Sequence, residues 1–168
     1  LEEARGLDVG SYFSEEFAGE GIPTLEEALA LCQGRLKLNI ELKDLGADSC
    51  LPEKTAEIIR EWGMEEQCVI SSVRLSYLEQ VKAVCPELKT GLILPAAYGR
   101  YYEDENVDFI SIRSSLANRR LVEAAHEAGR AVHVWTVNRP AELKSMALLG
   151  ADNLITDYPA RAREILYE

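Results

Sequence analysis

Glu41 and Lys43 are the first residues in this chain whose types and spacing suggest chemistry. They close a run, Leu36 to Asp44, in which Leu36, Leu38, Ile40 and Leu42 fall on one side and Lys37, Asn39, Glu41 and Lys43 on the other. Such alternation marks a β-strand with two unlike faces. If the polar face lies in water, the pair is a solvated edge or a structural ion pair. If it faces the inside of a closed parallel sheet, the carboxylate can hold a divalent cation. The ammonium two residues on can then hold a phosphate or neutralise developing charge. Spacing alone leaves both open.

A second constellation is VHVWTVN, Val132 to Asn138. His133 and Trp135 share one strand face, and a Trp at a strand end can wall a pocket or simply fill a core. A lone His on the same face is more often a hydrogen-bonded core residue than a base. His126 falls on a helical pattern, as a structural or exposed residue. In ITDYP, Ile155 to Pro159, Thr156 and Asp157 end a strand, where the carboxylate reads best as a helix N-cap. Ser71 and Ser72 end another strand and could donate to a ligand or cap. No Ser/His/Asp or Cys/His order suited to nucleophilic catalysis is present.

The elements that must position these residues are legible as alternating strand and helix. Strand character falls at Leu36 to Leu42, Cys68 to Ser72, Lys89 to Leu94, Phe109 to Ile112, Ala131 to Val137 and Asn153 to Thr156. Between them, helical patterns run over Glu53 to Trp62, Leu75 to Val84, Arg119 to Glu127 and Pro140 to Leu149. A further helix, Leu25 to Cys32, precedes the first strand behind the capping box Thr24/Glu27, and a last one, Ala160 to Tyr167, follows Pro159. Strand–helix repeats of this length predict a parallel sheet, in a doubly wound fold or a (β/α)8 barrel. No GxGxxG or GxxxxGK[ST] loop follows a strand, which favours the barrel. In a barrel the outer strand faces meet helices, so the polar faces of these strands turn inward.

Composition bounds the rest. The 168 residues, 47% apolar, form one domain with a core, and the formal charge of −11 argues against wrapping nucleic acid or docking on an anionic membrane. No apolar run reaches the roughly 18 residues that span a bilayer. A soluble, cytoplasmic domain is expected, with any membrane tether outside this sequence. Cys32, Cys50, Cys68 and Cys85 lack zinc or redox spacing and are expected as reduced, mostly buried thiols.

GEGIPTLEEAL (Gly19 to Leu29), LNIELK, VISS, AHEAGRAVHVWTVN and LGADNLITDYP, in this order and spacing, resemble glycerophosphodiester phosphodiesterases over essentially the whole chain. The preceding LDVGSYFSEEF also resembles that family's segment before its third strand. The resemblance implies a (β/α)8 barrel that hydrolyses glycerophosphodiesters to glycerol 3-phosphate and an alcohol. It implies a divalent cation, Mg2+ or Ca2+, held by three carboxylates, and two histidines as general acid and base. Glu41 matches one metal carboxylate, Lys43 the catalytic lysine that meets the phosphate, and Trp135 the tryptophan lining the substrate pocket.

The family's HRG, ExD and HD motifs, which supply both histidines and the other two carboxylates, do not occur in this sequence, and His126 and His133 match neither histidine. Asn153 stands where a glycine is commoner. Six strands also fall short of a barrel of about 250 residues. The expectation is an incomplete TIM barrel, the C-terminal three-quarters of an enzyme cut from a longer chain, itself inactive, or closed by a homo-oligomer or strand exchange. That the chain opens at Leu1 without an initiator Met agrees. The competing expectation is a naturally shortened, non-catalytic relative that binds phosphoesters or a protein partner. Schiff-base chemistry at Lys43 would need a depressed lysine pKa, against which the adjacent Glu41 argues.

Overall fold

The computed structural model describes residues 2–43, 50–97 and 99–167, so Asp44, the end of the alternating run, lies outside the described residues. The chain divides into two compact units, Leu1–Leu36 and Lys37–Glu168.

In the first unit a short helix α1 (Glu2–Arg5) and a 3-10 turn (Glu15–Phe17) precede α2 (Leu25–Cys32). The intervening loop is gathered on Asp8. Its Oδ1 accepts from the backbone N–H groups of Gly10 and Ser11, both at 2.9 Å, and its Oδ2 from the Ser11 hydroxyl and the Gly19 N–H. These bonds favour the ionised carboxylate and hold its pKa far below the ordinary range. Helix α2 opens with the expected reciprocal capping box between Thr24 and Glu27. The first strand was expected from Leu36, but the Leu36 N–H donates to the Cys32 carbonyl, closing the turn after α2.

The second unit is a run of strand–helix pairs. Strands β1 (Leu38–Leu42), β2 (Cys68–Ser72), β3 (Lys89–Leu94), β4 (Phe109–Arg113), β5 (Ala131–Trp135) and β6 (Asn153–Leu154) form one sheet, all parallel and in chain order. Helices α3 (Leu51–Glu61), α4 (Leu75–Val84), α5 (Arg119–Glu127), α6 (Pro140–Leu149) and α7 (Pro159–Tyr167) fall between or after them. Sequential parallel order is the topology of a (β/α)8 barrel, here with six of its eight strands. Strands β5 and β6 are shorter than expected, yet the backbone pairing continues: Ile155 N–H donates to Val134 O and Val137 N–H to Ile155 O.

Alternation in the strands separates two layers. Ile70, Leu92, Leu94, Ile110, Ile112, Val132 and Val134 are buried on the outer face, and the helices carry matching stripes. Pro52, Thr55, Ala56 and Ile59 of α3 recur at i, i+3, i+4 and i+7. Each fully buried Ile, Leu or Val of these two layers contributes roughly 1.5–3 kcal/mol through burial. Both α3 and α7 start earlier than expected because Pro52 and Pro159 sit inside the first turn, where a missing N–H costs nothing. Gly150 ends α6 in the left-handed region, at φ 99°. The four cysteines form no disulfide with one another, and three of them are buried. Among the described residues no helix is long and apolar enough to cross a membrane.

Candidate functional site

The inner strand faces gather the polar residues. Register sets Glu41 beside Ser71, Ser71 beside Gly91, Ile93 beside Ser111, and Arg113 beside Trp135. At the C-terminal ends of the strands, Asn39, Glu41, Lys43, Ser71, Ile93, Ser111, Trp135 and Ile155 line one cavity of about 430 Å³. The two sequence constellations of Glu41/Lys43 and Trp135, contributed by β1 and β5, therefore meet. A larger cavity of about 660 Å³ lies between residues 97–102 and the start of α5, away from the inner strand faces.

Within the mouth, Lys43 Nζ stands 3.4 Å from Glu41 Oε2, and both side chains are well exposed. The Ser71 hydroxyl donates to Asn39 Oδ1 at 3.0 Å, fixing one wall. Ser72 instead faces outward, donates to Leu42 O and accepts from the Arg74 N–H, closing the turn between β2 and α4 without capping the helix. Trp135 carries a buried Nε1–H without a partner, and a buried indole N–H ordinarily finds one. The Arg113 guanidinium lies over its ring, 5.4 Å from the centroid. The Trp135–Thr136 peptide bond is cis.

Asn138, which carried no expectation, ties the rim together. Its Nδ2 donates to Asp157 Oδ2 at 2.7 Å, and its Oδ1 accepts from the Thr156 hydroxyl and the Asp157 N–H. Asp157 is thus held by a side chain, and α7 opens two residues later at Pro159, so the position before the helix falls to Tyr158 rather than to Asp157 as expected. Thr156 accepts the Tyr158 N–H and forms the turn instead. Ser111 and Arg113 were also missed. Ser111 lay within the expected strand, on the face that alternation turns inward, and extending the strand one residue beyond Ile112 would have placed Arg113 beside it.

The histidines sit elsewhere. His133 lies one step deeper on β5, stacked on Phe109 at 4.1 Å between centroids, and lines a separate cavity at the N-terminal ends of the strands with Lys89 and Asn153. Its Nδ1 is buried without a partner, so the expected hydrogen bond is missing there. Burial pushes its pKa below the ordinary value, against the pull of the Asp152 charge. His126 Nε2 is 2.8 Å from Asp152 Oδ2, an oxygen that also accepts from the Val132 N–H. This pair ties α5 to the segment before β6 and is structural.

Among the described residues no three His, Cys, Asp or Glu side chains come together as a metal cage. Among the described residues the mouth offers one carboxylate, Glu41, with the amide oxygen of Asn39. These hard oxygens are the kind that Mg2+ or Ca2+ accepts. The fit is partial, for a single carboxylate leaves most of the coordination to other oxygens.

The profile of the Glycerophosphoryl diester phosphodiesterase family matches residues 1–161. A glycerophosphodiester phosphodiesterase of Caldanaerobacter subterraneus is 34% identical over 164 residues, covering 95% of this chain and 68% of its own. One from Bacillus altitudinis is 28% identical, covering 99% and 71%. The solved structure of an Oleispira antarctica phosphodiesterase in complex with the product sn-glycerol-3-phosphate superposes with a TM-score of 0.85 at 26% identity, covering all of this chain and 70% of that one. The chain therefore spans about two thirds of the length of these relatives. With a profile match over nearly every residue and a shared parallel barrel topology, the chain belongs to the glycerophosphoryl diester phosphodiesterase family.

Proposed function

We propose that this chain carries the substrate-holding part of a metal-dependent enzyme that hydrolyses glycerophosphodiesters to glycerol 3-phosphate and an alcohol. The observation that carries it is the convergence of Glu41, Lys43 and Trp135 on one cavity at the C-terminal ends of parallel strands, where barrel enzymes act. The product-bound Oleispira antarctica phosphodiesterase supports a glycerol 3-phosphate moiety as what the cavity takes. Lys43 binds a phosphate oxygen and offsets the charge that grows on the phosphoryl group. Trp135 packs its ring on the carbon skeleton of the substrate and donates its Nε1–H to a ligand oxygen. Glu41 would hold Mg2+ or Ca2+ together with oxygens of substrate and water, and such an ion supplies Lewis acidity toward phosphoryl oxygens. No histidine lines the mouth, so the acid–base groups come from outside the described residues. In this reading the chain is the C-terminal three-quarters of a barrel.

A second reading, a non-catalytic relative that binds phosphoesters, is favoured by the same placement of both histidines away from the mouth. One assay separates them: release of glycerol 3-phosphate from glycerophosphoglycerol by the product of the whole coding sequence, with and without chelator. The enzyme reading expects turnover that chelator abolishes and that Glu41→Gln lowers by about 100-fold. Turnover indifferent to chelator or to Glu41→Gln removes the metal role from Glu41. Binding of glycerol 3-phosphate without any turnover establishes the second reading.

A further inference from the structure

We infer that Arg113 selects glycerophosphodiesters whose alcohol part carries a negative charge and rejects those that carry a quaternary ammonium. The inference rests on the phosphodiesterase reading and concerns the part of the substrate that leaves.

Arg113 ends β4 on the inner face, one step beyond Ser111 of the cavity wall and in register with Trp135. Its guanidinium lies over the Trp135 ring at 5.4 Å and remains exposed. Among the described residues no carboxylate pairs with it. Two described acids of the rim loops are engaged elsewhere: Glu142 accepts from the Ser114 hydroxyl at 2.7 Å and pairs with Arg139, and Asp157 is held by Asn138. In a chain of net charge −11, an uncompensated guanidinium at the mouth is unlike its surroundings.

Two consequences follow from its position. An aromatic face is what would attract a choline-like cation, and here one face of the Trp135 ring already carries a cation, leaving the other for the carbon skeleton of the substrate. A quaternary ammonium entering the mouth would meet a like charge at that ring. Conversely, the cation–π contact with Trp135 restrains the guanidinium, so a phosphate or carboxylate on the leaving group gains a bidentate partner at a reduced ordering cost. Lys43, one residue past β1 and paired only with the exposed Glu41 carboxylate, is placed for the scissile phosphate. The two cations thus divide the substrate between them: Lys43 takes the diester and Arg113 the far end of the alcohol.

The test compares kcat/KM for glycerophosphoinositol 4-phosphate and for glycerophosphocholine, using the product of the whole coding sequence. The native protein is expected to prefer the anionic ester. Arg113→Gln is expected to lower the ratio by about 10–100-fold, the range for loss of a charge-assisted bond. Arg113→Lys should keep part of the preference, and Arg119→Gln, on the outer helix α5, should leave the ratio unmoved. A native preference for glycerophosphocholine, or a ratio unchanged by Arg113→Gln, overturns the inference while hydrolysis itself leaves the phosphodiesterase reading standing. Failure to hydrolyse any glycerophosphodiester overturns both.

Discussion

His133 and Trp135 stand two residues apart on the same face of β5, yet only the outer one reaches the mouth. The inner one is sandwiched against Phe109, and its environment sets its proton chemistry. Burial disfavours the imidazolium, so His133 binds its proton at a lower pH in the folded chain than the roughly 6.5 expected of an unfolded one. Between those two values the unfolded state holds more protons. His133 therefore costs no stability above about pH 6.5 and subtracts increasingly as the pH falls below it. An NMR titration on a His126→Gln background, which leaves a single imidazole, should show its midpoint below 6.5. His133→Leu should flatten the acid side of the stability profile. A midpoint at or above the ordinary value would mean that the ring is solvated or charged in place, and the stacked, neutral assignment would be wrong.

The strand is the scale at which side-chain volume becomes geometry. On β3, a Cβ added to Gly91 would stand 2.0 Å from the Phe109 ring, so the ring of β4 occupies the space that a side chain on β3 would need. Gly91→Ala is accordingly expected to destabilise by about 2–3 kcal/mol through overpacking. Phe109→Leu should recover part of that loss in the double variant, since two residues in contact do not add independently. Chemical denaturation of both singles and the double measures the coupling, and strictly additive losses would show that the contact is not what makes Gly91 necessary. Much of this scale was legible in advance, because strand alternation and helix stops are local: β2, β3, α2 and α5 fall where the pattern sets them. The misses lie at element ends, where backbone bonding decides. Leu36 was drawn into the turn after α2, Pro52 and Pro159 sit inside their helices, and β4 ran one residue further and brought Arg113 to the mouth. Glu41, Lys43 and Trp135 could be nominated from the chain because each sits on a regular strand or one residue past its end. Asn138 could not, since its role depends on a loop more than fifteen residues away.

At the scale of the molecule, the six-stranded sheet runs in order from β1 to β6, and among the described residues neither end strand has a partner on its far side. A closed barrel leaves no such edges, whereas an open parallel sheet presents unpaired N–H and C=O groups to any strand that can add to it. A polypeptide of these 168 residues on its own is therefore expected to associate with its copies through β1 and β6, edges that the remaining strands would cover in the whole barrel proposed above. Opposing this is the formal charge of −11, which makes like copies repel over about 10 Å in 0.1 M salt. The balance gives the prediction its sign: association should strengthen as salt rises, because screening weakens the repulsion while leaving the backbone pairing and apolar burial in place. Size-exclusion chromatography with light scattering should return masses above the 18.7 kDa of one chain, rising with concentration and with ionic strength. Hydrogen exchange should slow at β1 and β6 in step with that mass. A folded monomer at every salt concentration, with slow exchange at both end strands, would mean that the edges are covered within one chain, and strand exchange between copies would be ruled out as the means of closing the sheet.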